Sequence, residues 1–167
     1  GRIEKSHINH SHEMVKTRHY KIGPSGRATP RLREMQVKLL VRPQDRTRCD
    51  QLLVEHHYLH NAHLVGEHMR YAVVWKGQWL ALAMWSAAAF HLKARDGFIG
   101  WTETQRRERL PLVVNNSRLC VLPACHYPNL ISRFMKLMFG RLSADWESTW
   151  HHPVALVESF VDPQFYR

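Results

Sequence analysis

Met69-Arg70-Tyr71-Ala72-Val73-Val74-Trp75, then Lys76-Gly77-Gln78, then Trp79-Leu80-Ala81-Leu82-Ala83-Met84-Trp85 is the stretch from which the fold is read. Two apolar runs rich in Val, Trp and Tyr flank a short loop with a glycine in it. That combination predicts two antiparallel strands joined by a hairpin.

Outward toward the N-terminus, Val37-Lys38-Leu39-Leu40-Val41 is a short strand candidate. Pro43 then opens a helix running to about His57, with Cys49, Leu52 and Leu53 on its inner side. Residues 1–36 are polar, rich in His, Lys and Arg, and broken by Gly23-Pro24-Ser25-Gly26 and Pro30. They are read as an irregular arm.

Toward the C-terminus, residues 86–110 are ambiguous: Ala87-Ala88-Ala89, a turn at Arg95-Asp96-Gly97 beside Trp101, and a charged helix over Glu103–Arg109. Leu119–Leu122 is a buried strand stopped by Pro123. Asn129–Leu142 places apolar residues at 130, 131, 134, 137, 138 and 142, a helical stripe. Val154–Val161 is a last strand. The order β-α-β-β-(mixed)-β-α-β implies an α/β chain of α+β type, a mixed sheet flanked by helices. It divides into a basic arm over 1–36 and one domain over 37–167.

Charge speaks to the partner. The formal net charge is +10, the pI about 10.0, and hydrophobic residues make up 44% of the chain. Residues 1–50 hold 12 Lys/Arg against 5 Asp/Glu, whereas the remainder hold 12 against 9. A basic surface attracts phosphates by releasing their counterions, so a nucleic-acid partner, DNA above all, is expected. Arg27, Arg31 and Arg33 in the arm and Arg106, Arg107 and Arg109 beyond the turn are the candidate phosphate contacts, with Trp101 or Tyr127 available for stacking on bases. No basic amphipathic helix, lipidation motif, spanning stretch or signal peptide is read, so no membrane partner is expected. Cys49, Cys120 and Cys125 form no CxxC pair and read as reduced thiols of a cytoplasmic protein.

Among the residues that carry chemistry, the histidines stand out first. His56, His60 and His63 share a helix face only if the helix continues that far, and no HExxH glutamate lies between them. Asn61 and Gly66 argue that they decorate a loop, and His7, His10 and His12 are read as solvated, so no metal ligands are assigned. No GxSxG, Walker or GxGxxG pattern occurs. More informative is Glu158, which alternation places on an apolar side of its strand, where an unpaired carboxylate is costly. Arg118 is its natural partner. A structural ion pair and an active-site carboxylate are both open readings.

His57-Tyr58-Leu59, Gly66, Arg70-Tyr71, Ala87-Ala88, Arg95-Asp96, Ile99-Gly100-Trp101, Asn116-Ser117-Arg118, Leu122-Pro123, Asn129-Leu130, Ser132, Asp145-Trp146 and Glu158-Ser159-Phe160-Val161-Asp162 occur in that order. Over about 37–167 this resembles the family named after DruA of the Druantia anti-phage defence system. The resemblance implies a bacterial defence role, other defence-system subunits as partners, and an association with transposase-like genes. It also implies a chain continuing past Arg167. The element order is similar to that of GNAT acyltransferases, in which the strand before the central helix is splayed and a glycine-rich turn holds acetyl-CoA. Here the corresponding turn, Pro123–Pro128, has no glycine. Tyr58, Asp96, Asn116, Arg118, Glu158 and Asp162 are the candidate catalytic residues. An acyltransferase modifying DNA or another acceptor would use acetyl-CoA; a nuclease- or transposase-like enzyme would use Asp96, Glu158 and Asp162 around Mg²⁺.

Overall fold

A computed structural model describes residues 30–160. Residues 1–29, with Arg27 and most of the arm, and Asp162 lie outside the described residues. The sheet has five strands in the order of the chain: β1 (Gln36–Leu39), β2 (His68–Trp75), β3 (Gln78–Ala87), β4 (Val113–Val121) and β5 (Leu156–Ser159). The first four are antiparallel to their neighbours, and β5 is parallel to β4. This is the mixed sheet expected from the sequence.

The hairpin that decided the reading forms the centre of the sheet. Lys76 and Gly77 are its two turn residues, both left-handed at φ 48° and 78°, the geometry whose twist matches that of the flanking strands. Every residue of β3 from Trp79 to Ser86 is buried, because helices cover both faces.

On one face lies α1 (Pro43–His56), begun by a proline at its first position. Cys49 and Leu53, four apart, are its buried residues, and Asp50 binds Arg70 of β2 through two hydrogen bonds at 2.7 and 3.0 Å. On the other face lie α4 (Leu130–Phe139) and α5 (Leu142–Trp150). Leu130, Phe134 and Met138 recur every fourth residue, and Leu142 and Trp146 continue the contact. Burying each of these large side chains contributes about 2 kcal/mol. Trp85 of β3 donates its indole N–H to Met138 Sδ at 3.5 Å, and Tyr71 of β2 donates its hydroxyl to Asp145 at 2.9 Å.

Three local expectations change. Asn129–Leu142 is not one helix: the chain turns at Gly140–Arg141, and α5 follows as a separate element. The strand expected at Leu119–Leu122 begins six residues earlier, at Val113. Arg95-Asp96-Gly97 is no turn but the middle of α2 (Lys93–Ile99), closed by Gly100 at φ 72°. Glu103–Arg109 is the helix α3 as read, capped by Thr102, whose hydroxyl accepts from Gln105 N–H while the Gln105 side chain accepts from Thr102 N–H. The three cysteines are free and buried, and burial pushes the Cys49 thiol up to about 12.

Candidate functional site

Register brings a row of polar residues across one face. His68 of β2 pairs with Ser86 of β3, Ser86 with Asn115 of β4, and Asn115 with Glu158 of β5. Partnered residues point to the same side of a sheet, so the four side chains share the face on which α1 packs. A bulge falls beside the row: Met84 pairs with Arg118 but Trp85 with Asn116, leaving Ser117 as the extra residue of β4. The Ser117 and Ser86 hydroxyls hydrogen-bond to one another, and Asn115 Nδ2 donates to Ser117 Oγ at 3.3 Å. Asn116 points to the opposite face. It donates to the carbonyls of Met84 and Arg118 at 3.4 and 3.3 Å, knitting the bulge together.

Glu158 does not meet Arg118. The Arg118 guanidinium donates to the carbonyls of Asn61 and Ser117 at 2.8 and 2.6 Å, holding the loop after α1. Glu158 pairs instead with Arg95 of α2, at 3.3 Å, and the Arg95 side chain is only 4% exposed. Arg95 also donates to Asp96 at 3.0 Å and to the Ala89 carbonyl at 2.8 Å. Asp96 in turn accepts from Leu92 N–H and lies 3.6 Å from Arg106, whose guanidinium stacks on the Phe90 ring. Alternation put Glu158 on an apolar side of its strand, but its neighbours there, Leu156 and Phe160, are exposed and Glu158 ends a polar row; its partner lies in the segment that shows no period.

Burial raises the Glu158 carboxyl above the usual range, against the opposing pull of Arg95. Burial pushes Asp96 the same way, but the Leu92 N–H and the Arg95 and Arg106 guanidiniums outweigh it and hold Asp96 low. Three buried polar atoms of this region have no partner: Glu158 Oε2, Asn115 Oδ1 and Arg106 Nε. Two of them are acceptors on residues directly opposite one another.

The remaining candidates are spread out. Tyr58 stacks on His57, with ring centroids 4.4 Å apart. His57, at the end of α1, accepts from Leu59 N–H through Nδ1, and burial followed by the charge of Arg118 lowers its pKa. Arg31, Arg33 and Arg109 are exposed, whereas Arg107 pairs with Glu103 at 2.7 Å. The structure thus joins Asp96, Glu158 and Arg106 in one network, places Arg118 and Tyr58 toward the end of α1, and turns Asn116 to the other face. The sequence names no role for Arg95, Ser86 or Ser117, although Arg95-Asp96 and Asn116-Ser117-Arg118 both stand among the residues of the resemblance.

A sequence profile described as Druantia protein DruA matches residues 3–165. The chain belongs to the DruA family. Membership of that family suggests a component of Druantia anti-phage defence. The DruA match begins at residue 3, so the basic arm falls within the family's span instead of ahead of it. Neither a curated protein nor a solved structure matches the chain.

Proposed function

We propose that this DruA-family protein serves anti-phage defence by binding nucleic acid, principally DNA, alongside other subunits of the system in the bacterial cytoplasm. The observation that supports this is how the charges are shared out. Asp45, Asp50, Asp96, Glu103, Asp145 and Glu158 are each held by a lysine or arginine of the fold. Arg31, Arg33 and Arg109 are exposed and in no ion pair among the described residues. Glu34, Glu55, Glu67, Glu108 and Glu147 lack such a partner, but the described residues carry 17 Lys and Arg against 11 Asp and Glu, so their net field is cationic. Such a field binds phosphodiesters with little regard to sequence. No helix of the described residues is long and apolar enough to cross a membrane.

Fluorescence anisotropy with labelled duplex DNA, titrated across salt, tests the reading. The expected result is an association constant that falls linearly with salt on logarithmic axes. Absence of binding at about 50 mM salt overturns it.

A second reading, an acyltransferase-like enzyme, rests on the element order. The β4–β5 pairing runs from Val113 opposite Leu156 to Asn116 opposite Ser159, where β5 itself ends. The turn that would hold the pyrophosphate does not fit the group. Cys125, Tyr127 and Leu130 already donate their N–H groups to Leu122, Cys125 and Tyr127, and Pro128 has none. No step is derived through acetyl-CoA. If acetyl-CoA raises the melting temperature at millimolar concentration, the second reading gains over the first. For a Mg²⁺-dependent nuclease or transposase-like site, the guanidinium of Arg95 stands between Asp96 and Glu158, where a shared cation would sit. That reading requires Arg95 to move away.

A further inference from the structure

The segment leading into β1, the tip of the β2–β3 hairpin and α4 meet at the corner of the sheet where β1 begins. The indole N–H of Trp75, the last residue of β2, donates to Glu34 Oε2 at 2.9 Å. Arg133 of α4 donates to the Leu32 carbonyl at 3.0 Å. Leu32–Glu34 is one tight helical turn, so these two bonds join all three segments. Lys76, the first residue of the hairpin turn, holds its ammonium 4.8 Å from the centre of the Trp75 ring. Lys136 follows Arg133 at the i+3 spacing that makes them neighbours on α4. Arg31, Arg33, Lys76, Arg133 and Lys136 thus gather at one corner. All but the half-buried Arg133 are exposed, and none is in an ion pair among the described residues.

The charges here do not cancel. No Asp or Glu occurs between Glu67 and Asp96 or between Glu108 and Asp145, spans that contain the hairpin and the whole of α4. Glu34 is the one carboxylate of the three segments. The hydrogen bond from Trp75, and after it the charges of Arg31, Lys76 and Arg33, hold its carboxyl below the usual range against a cost of desolvation. One carboxylate shared among three cations leaves a net positive charge, to which Arg133 and Lys136 add. Arg141, at the end of α4, is matched by Asp145 and leaves that excess unchanged. On α3, by contrast, Arg107 pairs with Glu103 and Arg106 lies against Asp96. The excess is carried by arginine and lysine alone, which stay charged throughout the neutral range.

We propose that this corner is the surface on which the backbone of duplex DNA lies, its phosphates met by Arg31, Arg33, Lys76 and Lys136 with Arg133 behind them. The proposal rests on the nucleic-acid reading above and gives it a place, adding the hairpin tip and α4 to the two arginines before β1. A duplex gains more from such a surface than an acidic peptide does, because its closely spaced phosphates release condensed counterions on contact.

The test is anisotropy with a labelled duplex across salt, for the full chain and for its Lys76→Gln/Lys136→Gln and Lys93→Gln variants. Lys93 is an exposed lysine of α2, the helix that Arg95 ties to β5 at the other edge of the sheet. The double variant is expected to make the slope of log affinity against log salt shallower by about 1.8, two contacts at about 0.9 each, and Lys93→Gln to leave it unchanged. Lysine acetylation of the wild type, read by mass spectrometry, gives a second measurement that needs no variant. The duplex is expected to protect Lys76 and Lys136 while Lys93 reacts as it does in the free protein. An unchanged slope in the double variant, or protection of Lys93 ahead of the other two, overturns the proposal while leaving DNA binding intact. Polyglutamate protecting Lys76 and Lys136 as strongly as the duplex at equal charge also overturns it, by making any acidic chain the ligand. No DNA binding by the wild type at about 50 mM salt overturns both this proposal and the reading beneath it.

Discussion

Arg95 holds more of the candidate site than any other side chain. It ties α2 to β5 through Glu158, closes on its neighbour Asp96, and donates to the carbonyl that ends the Ala87–Ala89 stretch. Removing one member of a buried ion pair leaves the other charged and unpaired, which costs about 3–5 kcal/mol. Arg95→Met is therefore expected to lower unfolding free energy by that order in urea denaturation. Glu158→Gln behaves differently, because Arg95 keeps Asp96 and the new amide supplies a donor beside Asn115 Oδ1, where Glu158 Oε2 has no partner. Its expected change is within about 1 kcal/mol. If both variants lose the same amount, the network is not organised around Arg95. The same carboxyl sets a pH dependence. Its folded-state pKa is raised, so the folded chain keeps its proton to higher pH than the unfolded chain does. Wild type should lose stability relative to Glu158→Gln as pH climbs above the ordinary glutamate value and toward the raised folded-state pKa. Below that window the gap between the two proteins should be constant.

At the scale of elements, legibility followed periodicity. The hairpin, α1 and α3 were readable because each carries its own local signal: apolar runs around a glycine loop, a proline start, a charged helical run. The segment around α2 was not, because its seven residues include a glycine and its only buried residue is an arginine. α5 was missed for a related reason. Leu142 fits the stripe of α4 four residues after Met138, so the break at Gly140 is silent in the pattern. The Glu158 partner was misassigned because a strand pattern gives a face and says nothing about which helix lies on it. The hairpin turn supplies a test of what was read correctly. At Gly77 a Cβ would meet nothing within 4 Å, so substitution there carries only the cost of a left-handed backbone. Gly77→Ala is expected to cost about 1 kcal/mol, read as a lowered urea midpoint with unchanged slope. A changed slope would show that the turn also governs how compact the unfolded chain is.

For the whole molecule, what matters is which cations remain to meet a phosphate. Net charge counts Arg107 and Arg33 alike, but the structure separates them. Arg107 spends its charge on Glu103 one helical turn away, whereas Arg33 is exposed beside Arg31 in the segment that leads from the arm into β1. Each phosphate contact adds about 0.9 to the slope of log affinity against log salt on duplex DNA. Arg31→Ala/Arg33→Ala should therefore lower that slope by about 2 if both arginines contact phosphate. Arg107→Ala should change it by less than one contact's worth, because removing that arginine also releases the charge of Glu103. Both variants carry exposed substitutions, so their stability should stay within about 0.5 kcal/mol of wild type, and binding changes can be read directly. Equal slopes in all three proteins would place the DNA contact elsewhere on the surface. A larger loss for Arg107→Ala than for the double variant would reverse the order of importance and put α3, not the approach to β1, against the nucleic acid.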